Sequence, residues 1–171
     1  MQRLKGKNAI VSGASRGIGR AVAVALAAEG ASVLAVARNS VALDHTVAAA
    51  EACGGRCLPL LLDVTMDGAA ERAVGAAMQA FGGIDILINN ASAISLTGTL
   101  QTPMKRYDLM HSINTRGTYL CSQACLPHLL KASNPHILNL SPPLNMKAHW
   151  FQNHVAYTMA KYGMSMCVLG M

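Results

Sequence analysis

The chain has 171 residues, of which 52% are hydrophobic, and 14 lysines and arginines stand against 8 aspartates and glutamates. This length fits one domain, and the apolar content excludes a disordered protein. The basic residues behind the net charge of +6 form no Lys/Arg-rich run of five to eight residues, so we expect no nucleic-acid binding. No apolar run reaches the ~18 residues of a membrane span, and no signal peptide precedes the first strand, so we expect a cytoplasmic protein.

Metal chemistry is not indicated by the cysteines and histidines. The five cysteines are an odd number, and neither of their close pairs has the spacing of structural zinc ligands. The six histidines are isolated from one another. We therefore expect reduced thiols and no metal site.

Short apolar runs alternate along the chain with longer segments of helical periodicity. Strands that are almost continuously apolar predict a parallel sheet covered on both faces, and right-handed crossovers make it doubly wound. The predicted architecture is a single α/β domain over residues 1–171 with a Rossmann fold. In chain order, the predicted elements are strand 8–12, helix 18–29, strand 31–37, helix 41–52, strand 57–62, helix 69–81, strand 84–88, helix 104–131, strand 136–140 and helix 155–169.

A glycine-rich turn, Gly13-Ala-Ser-Arg-Gly17-Ile-Gly19, separates the first strand from the first helix. Glycine allows the backbone to turn tightly and to approach a pyrophosphate, which the helix N-terminus attracts. The alternative is a tight turn without a ligand. The strand before the turn and the helix after it favour dinucleotide binding.

Three further motifs follow the glycine turn in order. Asn89-Asn90-Ala91 ends the fourth strand, Asn114 lies in a helical stretch, and Tyr157-Thr-Met-Ala-Lys161 follows the fifth strand. Together with the glycine spacing, they resemble the short-chain dehydrogenase/reductase family. The resemblance implies an oxidoreductase that interconverts a carbonyl and an alcohol with a nicotinamide cofactor, and that forms homodimers or homotetramers. It also implies a Rossmann fold truncated at the C-terminus, without the last strands and substrate lid of the family.

The cofactor is predicted from the end of the second strand. NAD-binding proteins usually place a carboxylate there for the ribose 2′-hydroxyl, whereas this chain has Arg38. Arg38 and Arg16 could clamp a 2′-phosphate, so we expect NADP(H) more than NAD; alternatively, both are solvated surface charges. By resemblance, the cofactor-binding residues are Gly13, Ser15, Arg16, Gly17, Ile18, Gly19, Arg38, Asp63, Val64, Asn89, Ala91, Tyr157 and Lys161. Asp63 could instead cap a helix.

The predicted catalytic pair is Tyr157 and Lys161, which are four residues apart and so lie on one face of a helix. A tyrosine is ordinarily a weak acid near neutral pH, and a nearby ammonium favours its ionised form. Tyr157 would then exchange a proton with the substrate. By resemblance, Lys161 also binds the nicotinamide ribose, and Asn114 holds a water in a proton relay.

The catalytic serine is the ambiguous position. Ser141 lies sixteen residues before Tyr157, whereas the resembling family usually has thirteen. Either Ser141 is the oxyanion donor and the loop that follows it is longer, or Pro142 occupies the catalytic place and Ser141 ends the strand. Trp150 and Phe151 in that loop either line an apolar substrate pocket or pack in place. The alternative function is a catalytically impaired, NADPH-binding regulatory fragment.

Overall fold

Five parallel strands form one sheet in the order β3-β2-β1-β4-β5. The structure is a computed structural model that describes residues 2–171, so Met1 of the predicted domain lies outside the described residues. The predicted doubly wound parallel sheet is confirmed. The strands are β1 (Asn8–Ser12), β2 (Ser32–Ala37), β3 (Arg56–Leu61), β4 (Ile86–Asn89) and β5 (His136–Asn139).

Helices connect the strands and cover both faces of the sheet. Short 3₁₀ turns at Thr99–Gln101 and Ala148–Trp150 interrupt the two longest loops. The helices are α1 (Gly17–Ala28), α2 (Ser40–Ala52), α3 (Ala69–Phe81), α4 (Met104–Met110), α5 (Gly117–Leu129) and α6 (Val155–Gly170).

The helical stretch predicted over residues 104–131 is present, but it is not α-helical throughout. A π-helical segment, His111–Arg116, separates α4 from α5, and α5 ends at Leu129. A π-helical turn holds more residues than an α-helical turn, so it rotates the residues that follow relative to those before it. Apolar periodicity alone does not indicate such a local change. The segment buries Ile113 and Asn114.

Two hydrophobic clusters lie on opposite faces of the sheet. Val11 and Val33 point towards α1 and α2, where Ala23 and Ala27 are almost completely buried. Successive residues of a strand point to opposite faces, so the neighbours of these valines pack against α3 and α5 instead. The alanines of α1 have small side chains, which lets the helix backbone lie close to the sheet.

The strand order places a crevice beside β1. β1 pairs with β2 on one side and with β4 on the other, so the connections after β1 and β4 leave the sheet in opposite directions. In open parallel sheets, ligands bind in such a crevice, outside the carboxyl ends of the strands. The glycine turn and the loop after β4 both begin at this edge.

Candidate active site

The loops that follow β1 and β4 are joined by hydrogen bonds. Ser12 Oγ donates to the Ile88 carbonyl at 3.2 Å and accepts from the backbone N–H groups of Asn90 and Ala91, each at 3.1 Å. Asn90 Nδ2 donates to the carbonyls of Ser12 and Gly13, both at 3.0 Å. A Cβ on Gly13 would lie 2.8 Å from the Cα of Ala91. The glycine turn is therefore held against its neighbour by backbone contacts that a larger residue would displace.

The N-terminus of α1 has features of an anion-binding site. Arg16 occupies the N-cap without a side-chain capping hydrogen bond, and the first turn has no acidic residue. Gly17 has a φ of +54°, and a Cβ there would meet no atom within 4 Å. The free N–H groups of a helix start and its positive dipole end attract anions. This open turn fits the pyrophosphate of a dinucleotide.

A cleft of about 510 Å³ opens in front of this turn. It is lined by most of the predicted cofactor-binding residues, namely Gly13, Ser15, Arg16, Gly17, Ile18, Arg38, Asp63, Val64 and Ala91. Further lining residues that the sequence analysis missed are Ala37, Asn39, Ala42, Leu62, Asn90, Ser92 and Ile113. All of them except Ala42 are direct neighbours in the sequence of a predicted site residue, and that proximity was a signal that could have found them.

Four predicted cofactor-binding residues do not line the cleft: Gly19, Asn89, Tyr157 and Lys161. Gly19 is buried beneath the turn. Asn89 is almost completely buried, and its Nδ2 donates to Ser122 Oγ at 3.1 Å and to Asn139 Oδ1 at 2.8 Å. The Asn89 side chain therefore links β4 to α5 and β5.

Arg38 and Asp63 pair across the cleft, with 3.4 Å between Arg38 Nη1 and Asp63 Oδ2. Asp63 Oδ1 accepts hydrogen bonds from the backbone N–H and the hydroxyl of Thr65, at 2.9 and 2.8 Å. Burial alone would raise the pKa of Asp63, but the Thr65 hydrogen bonds and the Arg38 charge outweigh it and hold the pKa below its ordinary value. The alternative that Asp63 caps a helix is wrong, because the N-cap of α3 is Gly68.

The π-helical segment orders the loop after β4. Asn114 is completely buried, its Nδ2 donates to the Ala93 carbonyl at 2.9 Å, and its Oδ1 accepts from the Ala93 N–H at 3.0 Å. The next residue, Thr115, donates through Oγ1 to the Ala160 carbonyl of α6 at 2.9 Å. Asn114 and α6 are thus connected by consecutive residues. π-Helical turns occur frequently at functional sites.

Tyr157 and Lys161 lie on consecutive turns of α6, as predicted from their spacing. Tyr157 is half-buried, whereas Lys161 is buried, with 7% of its surface exposed. Lys161 Nζ donates to the Leu140 carbonyl after β5. Burial lowers the pKa of the Lys161 ammonium below its ordinary value.

Ser141 is bound to α6. Its Oγ donates to the Lys161 carbonyl at 2.7 Å and also contacts Ser165 Oγ, which donates to the Pro142 carbonyl at 2.9 Å. A hydroxyl has one hydrogen to donate, and here helix and loop atoms accept it. These hydrogen bonds join the loop that follows β5 to α6.

The loop between β5 and α6 is anchored through Tyr162. The Tyr162 hydroxyl donates to the Asn145 carbonyl at 2.7 Å, and the ring of Phe151 packs edge-on against Tyr162 at 5.1 Å between centroids. Phe151 therefore packs in place, whereas Trp150 is half exposed. Of the two aromatic residues Trp150 and Phe151, Phe151 is partly buried and Trp150 is exposed.

Residues 2–171 show neither a metal-binding cluster nor a membrane-spanning helix. Among these residues, no group of three or more histidine, cysteine, aspartate or glutamate side chains is arranged to hold a metal ion. In the same part of the chain, no helix is long and apolar enough to cross a membrane. All five cysteines are unpaired.

A family model described as short chain dehydrogenase matches residues 7–171. The chain belongs to this family. Hydroxysteroid dehydrogenase-like protein 2 of Danio rerio is 57% identical over 99% of this chain and 42% of that protein. The protein of the same name from Homo sapiens is 53% identical over the same shares. The chain thus spans 42% of the length of these curated relatives.

Solved structures of the family match over nearly the whole chain. A short chain dehydrogenase from Mycobacterium thermoresistibile has a TM-score of 0.93 at 44% identity, over 98% of this chain and 62% of that one. A metagenomic short-chain oxidoreductase in complex with NADP has a TM-score of 0.90 at 30% identity, over 98% and 76%. A 7α-hydroxysteroid dehydrogenase complexed with NADH and 7-oxo glycochenodeoxycholic acid has a TM-score of 0.86 at 28% identity, over 97% and 64%. The family binds nicotinamide cofactors, and the last two neighbours were solved with NADP and with NADH, respectively.

Proposed function

We propose that the chain is the cofactor-binding and catalytic part of an NADP(H)-dependent oxidoreductase that interconverts a carbonyl and an alcohol. The observation that carries this proposal is the cleft at the carboxyl ends of the strands, where the open N-terminus of α1 lies beside Arg16 and Arg38. Membership of the short-chain dehydrogenase family supports the reaction type.

The preference for NADP(H) rests on the charges at the end of β2. Arg38 follows β2 and lines the cleft, and no acidic residue stands there to accept hydrogen bonds from a ribose 2′-hydroxyl. Arg16 lines the same cleft from the glycine turn. Two guanidinium groups suit a phosphate because each can donate two parallel hydrogen bonds to it. Both arginines face a cleft, which favours a binding role over that of solvated surface charges.

The proposed chemistry is divided among Tyr157 and Lys161 of α6 and Asn114 of the π-helical segment. A bound nicotinamide would supply or accept the hydride. Tyr157 exchanges the proton with the substrate oxygen, and Lys161 binds the nicotinamide ribose. Asn114 holds the loop at Ala93 and takes part in the proton relay. The fourth predicted residue, Ser141, acts as oxyanion donor only if its hydroxyl turns away from the Lys161 carbonyl.

We propose an apolar substrate, of the steroid or fatty-acyl type. Leu144, Met146 and Trp150 on the loop before α6 are 40%, 77% and 48% exposed. Apolar side chains on a loop beside a catalytic residue suit an apolar ligand. The names of the hydroxysteroid dehydrogenase-like relatives agree with this class.

The oligomeric state and compartment are further parts of the proposal. Tyr119 of α5 and Met166 of α6 are about half exposed, which suits a homodimer or homotetramer formed through these helices. Two small residues of α6, Gly163 and Ser165, face the chain's own Thr115 and Ser141, so they are not available for close packing between subunits. Unpaired cysteines suit a reducing compartment such as the cytoplasm.

The test is a fluorescence titration of the chain with NADPH and with NADH, repeated with Arg38→Ala. We expect tighter binding of NADPH, and a loss of roughly tenfold in NADPH affinity on substitution, since a charge-assisted hydrogen bond of about 1.5 kcal/mol corresponds to that factor. NADH affinity should change little. Arg72→Ala removes the same charge from an exposed position on α3, outside the cleft, and serves as the control.

Two results would contradict the proposal. Equal binding of NADH and NADPH by the unsubstituted chain would overturn the cofactor preference. NADPH binding without turnover on any member of a panel of steroid and acyl carbonyls would instead favour the NADPH-binding regulatory fragment.

A further inference from the structure

Arg20 lies on the first turn of α1, behind the glycine turn, and is half-buried. Its Nη2 donates to the carbonyl of Ser15 and, at 3.2 Å, to the carbonyl of Ala42. Its Nε donates to Thr46 Oγ1, also at 3.2 Å. One guanidinium therefore binds the glycine turn and the first turns of α2 at the same time.

Thr46 continues this connection. It is completely buried, and its Oγ1 donates to the Ala14 carbonyl of the glycine turn at 2.8 Å. Two consecutive carbonyls of the turn thus accept side-chain hydrogen bonds: that of Ala14 from Thr46 of α2, and that of Ser15 from Arg20. Because these side chains satisfy buried carbonyls, replacing them leaves acceptors without a donor.

The two joined segments carry the two arginines of the cleft. Ser15 directly precedes Arg16, and Ala42 lies in the first turn of α2, which begins just after Arg38 and Asn39. Ser15 and Ala42 both line the cleft. A guanidinium that holds these segments together fixes the distance between the two groups proposed to bind the 2′-phosphate.

The charge of Arg20 also has no acidic partner. None of the ion pairs found among residues 2–171 includes Arg20, so its positive charge near the cleft is not neutralised by a carboxylate within 4.0 Å. The hydrogen bonds from its Nε and Nη2 all go to neutral oxygens. This arrangement uses the planar fork of arginine, which lysine cannot reproduce.

We propose that Arg20 is a positioning residue for cofactor selectivity: by joining Ser15 to Ala42, it sets the separation of Arg16 and Arg38 and thereby the affinity for the 2′-phosphate. This inference rests on the proposed preference for NADPH. Arg20 itself does not line the cleft, so it acts through the two segments that do.

The test compares NADPH and NADH titrations of Arg20→Leu and Arg20→Lys with those of the unsubstituted chain. We expect both variants to lose NADPH affinity by roughly tenfold while NADH affinity changes less than about threefold, since only the 2′-phosphate needs both arginines in place. The lysine variant keeps the charge but cannot make the three bonds of the fork. A lysine variant with full NADPH affinity would overturn the positioning role, because charge alone would then suffice.

A matched control separates selectivity from stability. The guanidinium of Arg56 also donates to a carbonyl, that of Ala80 at 3.1 Å. Arg56 is the first residue of β3 and so lies at the amino ends of the strands, whereas the cleft lies at their carboxyl ends. Arg56→Leu should leave the ratio of NADPH to NADH affinity unchanged. If Arg20→Leu does not fold, Thr46→Val carries the test, since it removes one bond to the turn and one to Arg20 with little change in shape.

The outcomes distinguish this inference from the proposed function. If the unsubstituted chain prefers NADPH and the Arg20 and Thr46 variants weaken both cofactors equally, the positioning role is overturned and the proposed function stands. If the unsubstituted chain shows no preference for NADPH, both are overturned.

Discussion

The cofactor cleft and the catalytic region at α6 are built differently, although both lie at the carboxyl edge of the sheet. In the cleft, most of the groups that face the ligand come from short stretches directly after β1, β2, β3 and β4. In the catalytic region, each functional side chain is held by a distant part of the chain: Asn114 of the π-helical segment by Ala93, and Lys161 of α6 by Leu140. Most cleft residues can therefore be located from the ends of the strands, whereas the catalytic region depends on tertiary contacts.

Two glycines show the same contrast. A Cβ on Gly17 would enter open space in front of α1, where a ligand can approach the backbone. A Cβ on Gly163 would lie 2.6 Å from Thr115 Cγ2, so this glycine lets α6 pack on the π-helical segment. One glycine leaves room for a ligand, and the other leaves room for the protein itself.

The largest expected effect is that of Tyr157→Phe, which removes the proposed proton donor. We expect kcat to fall by roughly 10²–10⁴-fold, the usual contribution of general acid–base catalysis, with NADPH still bound. Turnover of a carbonyl substrate with NADPH measures the change. Tyr119→Phe removes a hydroxyl from an exposed position on α5 and is the control. Equal activity of the two variants would exclude Tyr157 as the acid–base group.

The second effect concerns packing in the catalytic region. Gly163→Ala should lower the free energy of unfolding by about 1–3 kcal/mol, because the added methyl overlaps the Thr115 side chain. Gly75→Ala in α3 is the matched control: its Cβ would meet nothing within 4 Å, so helix propensity should raise stability by roughly 0.5–1 kcal/mol. Urea unfolding measures both.

A double variant sharpens this test. Thr115→Ala removes the two Thr115 atoms that would lie nearest to the new methyl, Cγ2 at 2.6 Å and Oγ1 at 2.7 Å, and keeps Cβ at 3.2 Å. Gly163→Ala should therefore cost less in the Thr115→Ala background than alone. Equal costs in the two backgrounds would show that the strain lies elsewhere in α6.

The glycine turn and the strand pattern were predictable because their information is contiguous. The motif Gly13 to Gly19 lies between two elements of clear periodicity, and its position after β1 fixes where it faces. The fourth strand was predicted at residues 84–88, whereas β4 runs Ile86–Asn89. Ile84 is buried but precedes the strand. Apolar content predicts burial better than it predicts which residues pair.

Other parts of the site depend on contacts that no local pattern contains. Asn89 and Asn90 are neighbours, yet Asn89 binds Ser122 inside the fold while Asn90 lines the cleft. Spacing alone could not assign their directions. The same holds for Ser141, since its distance along the chain from Tyr157 does not show that its hydroxyl binds α6.

Ser141→Ala decides between the two interpretations of this serine. From its hydrogen bonds to α6, we expect the free energy of unfolding to fall by about 1 kcal/mol and kcat to fall by less than roughly tenfold. An oxyanion donor would instead cost roughly 10²–10³-fold in kcat. Ser165→Ala, in the same hydrogen-bonded group, is the control. A large loss of kcat in Ser141→Ala alone would establish the serine as catalytic.

The smallest effect is a pH dependence of stability at Lys161. Its pKa is lowered by burial in the folded chain, whereas the unfolded chain keeps the ordinary value of 10.5. As pH rises through the folded pKa towards 10.5, the folded state releases its proton before the unfolded state does. Within that window, stability therefore rises with pH, by at most about 1.4 kcal/mol per pH unit.

Lys161→Met isolates this contribution. Methionine cannot titrate, so the free energy of unfolding of the unsubstituted chain minus that of the variant should increase from neutral pH towards pH 10.5. The hydrogen bond to the Leu140 carbonyl weakens when the ammonium loses its proton and so opposes the effect of burial, but the slope stays positive because burial dominates the pKa. Urea unfolding at several pH values measures the slope. A flat difference would mean that the ammonium is as well solvated in the folded chain as in water, and that α6 does not tune Lys161 through burial.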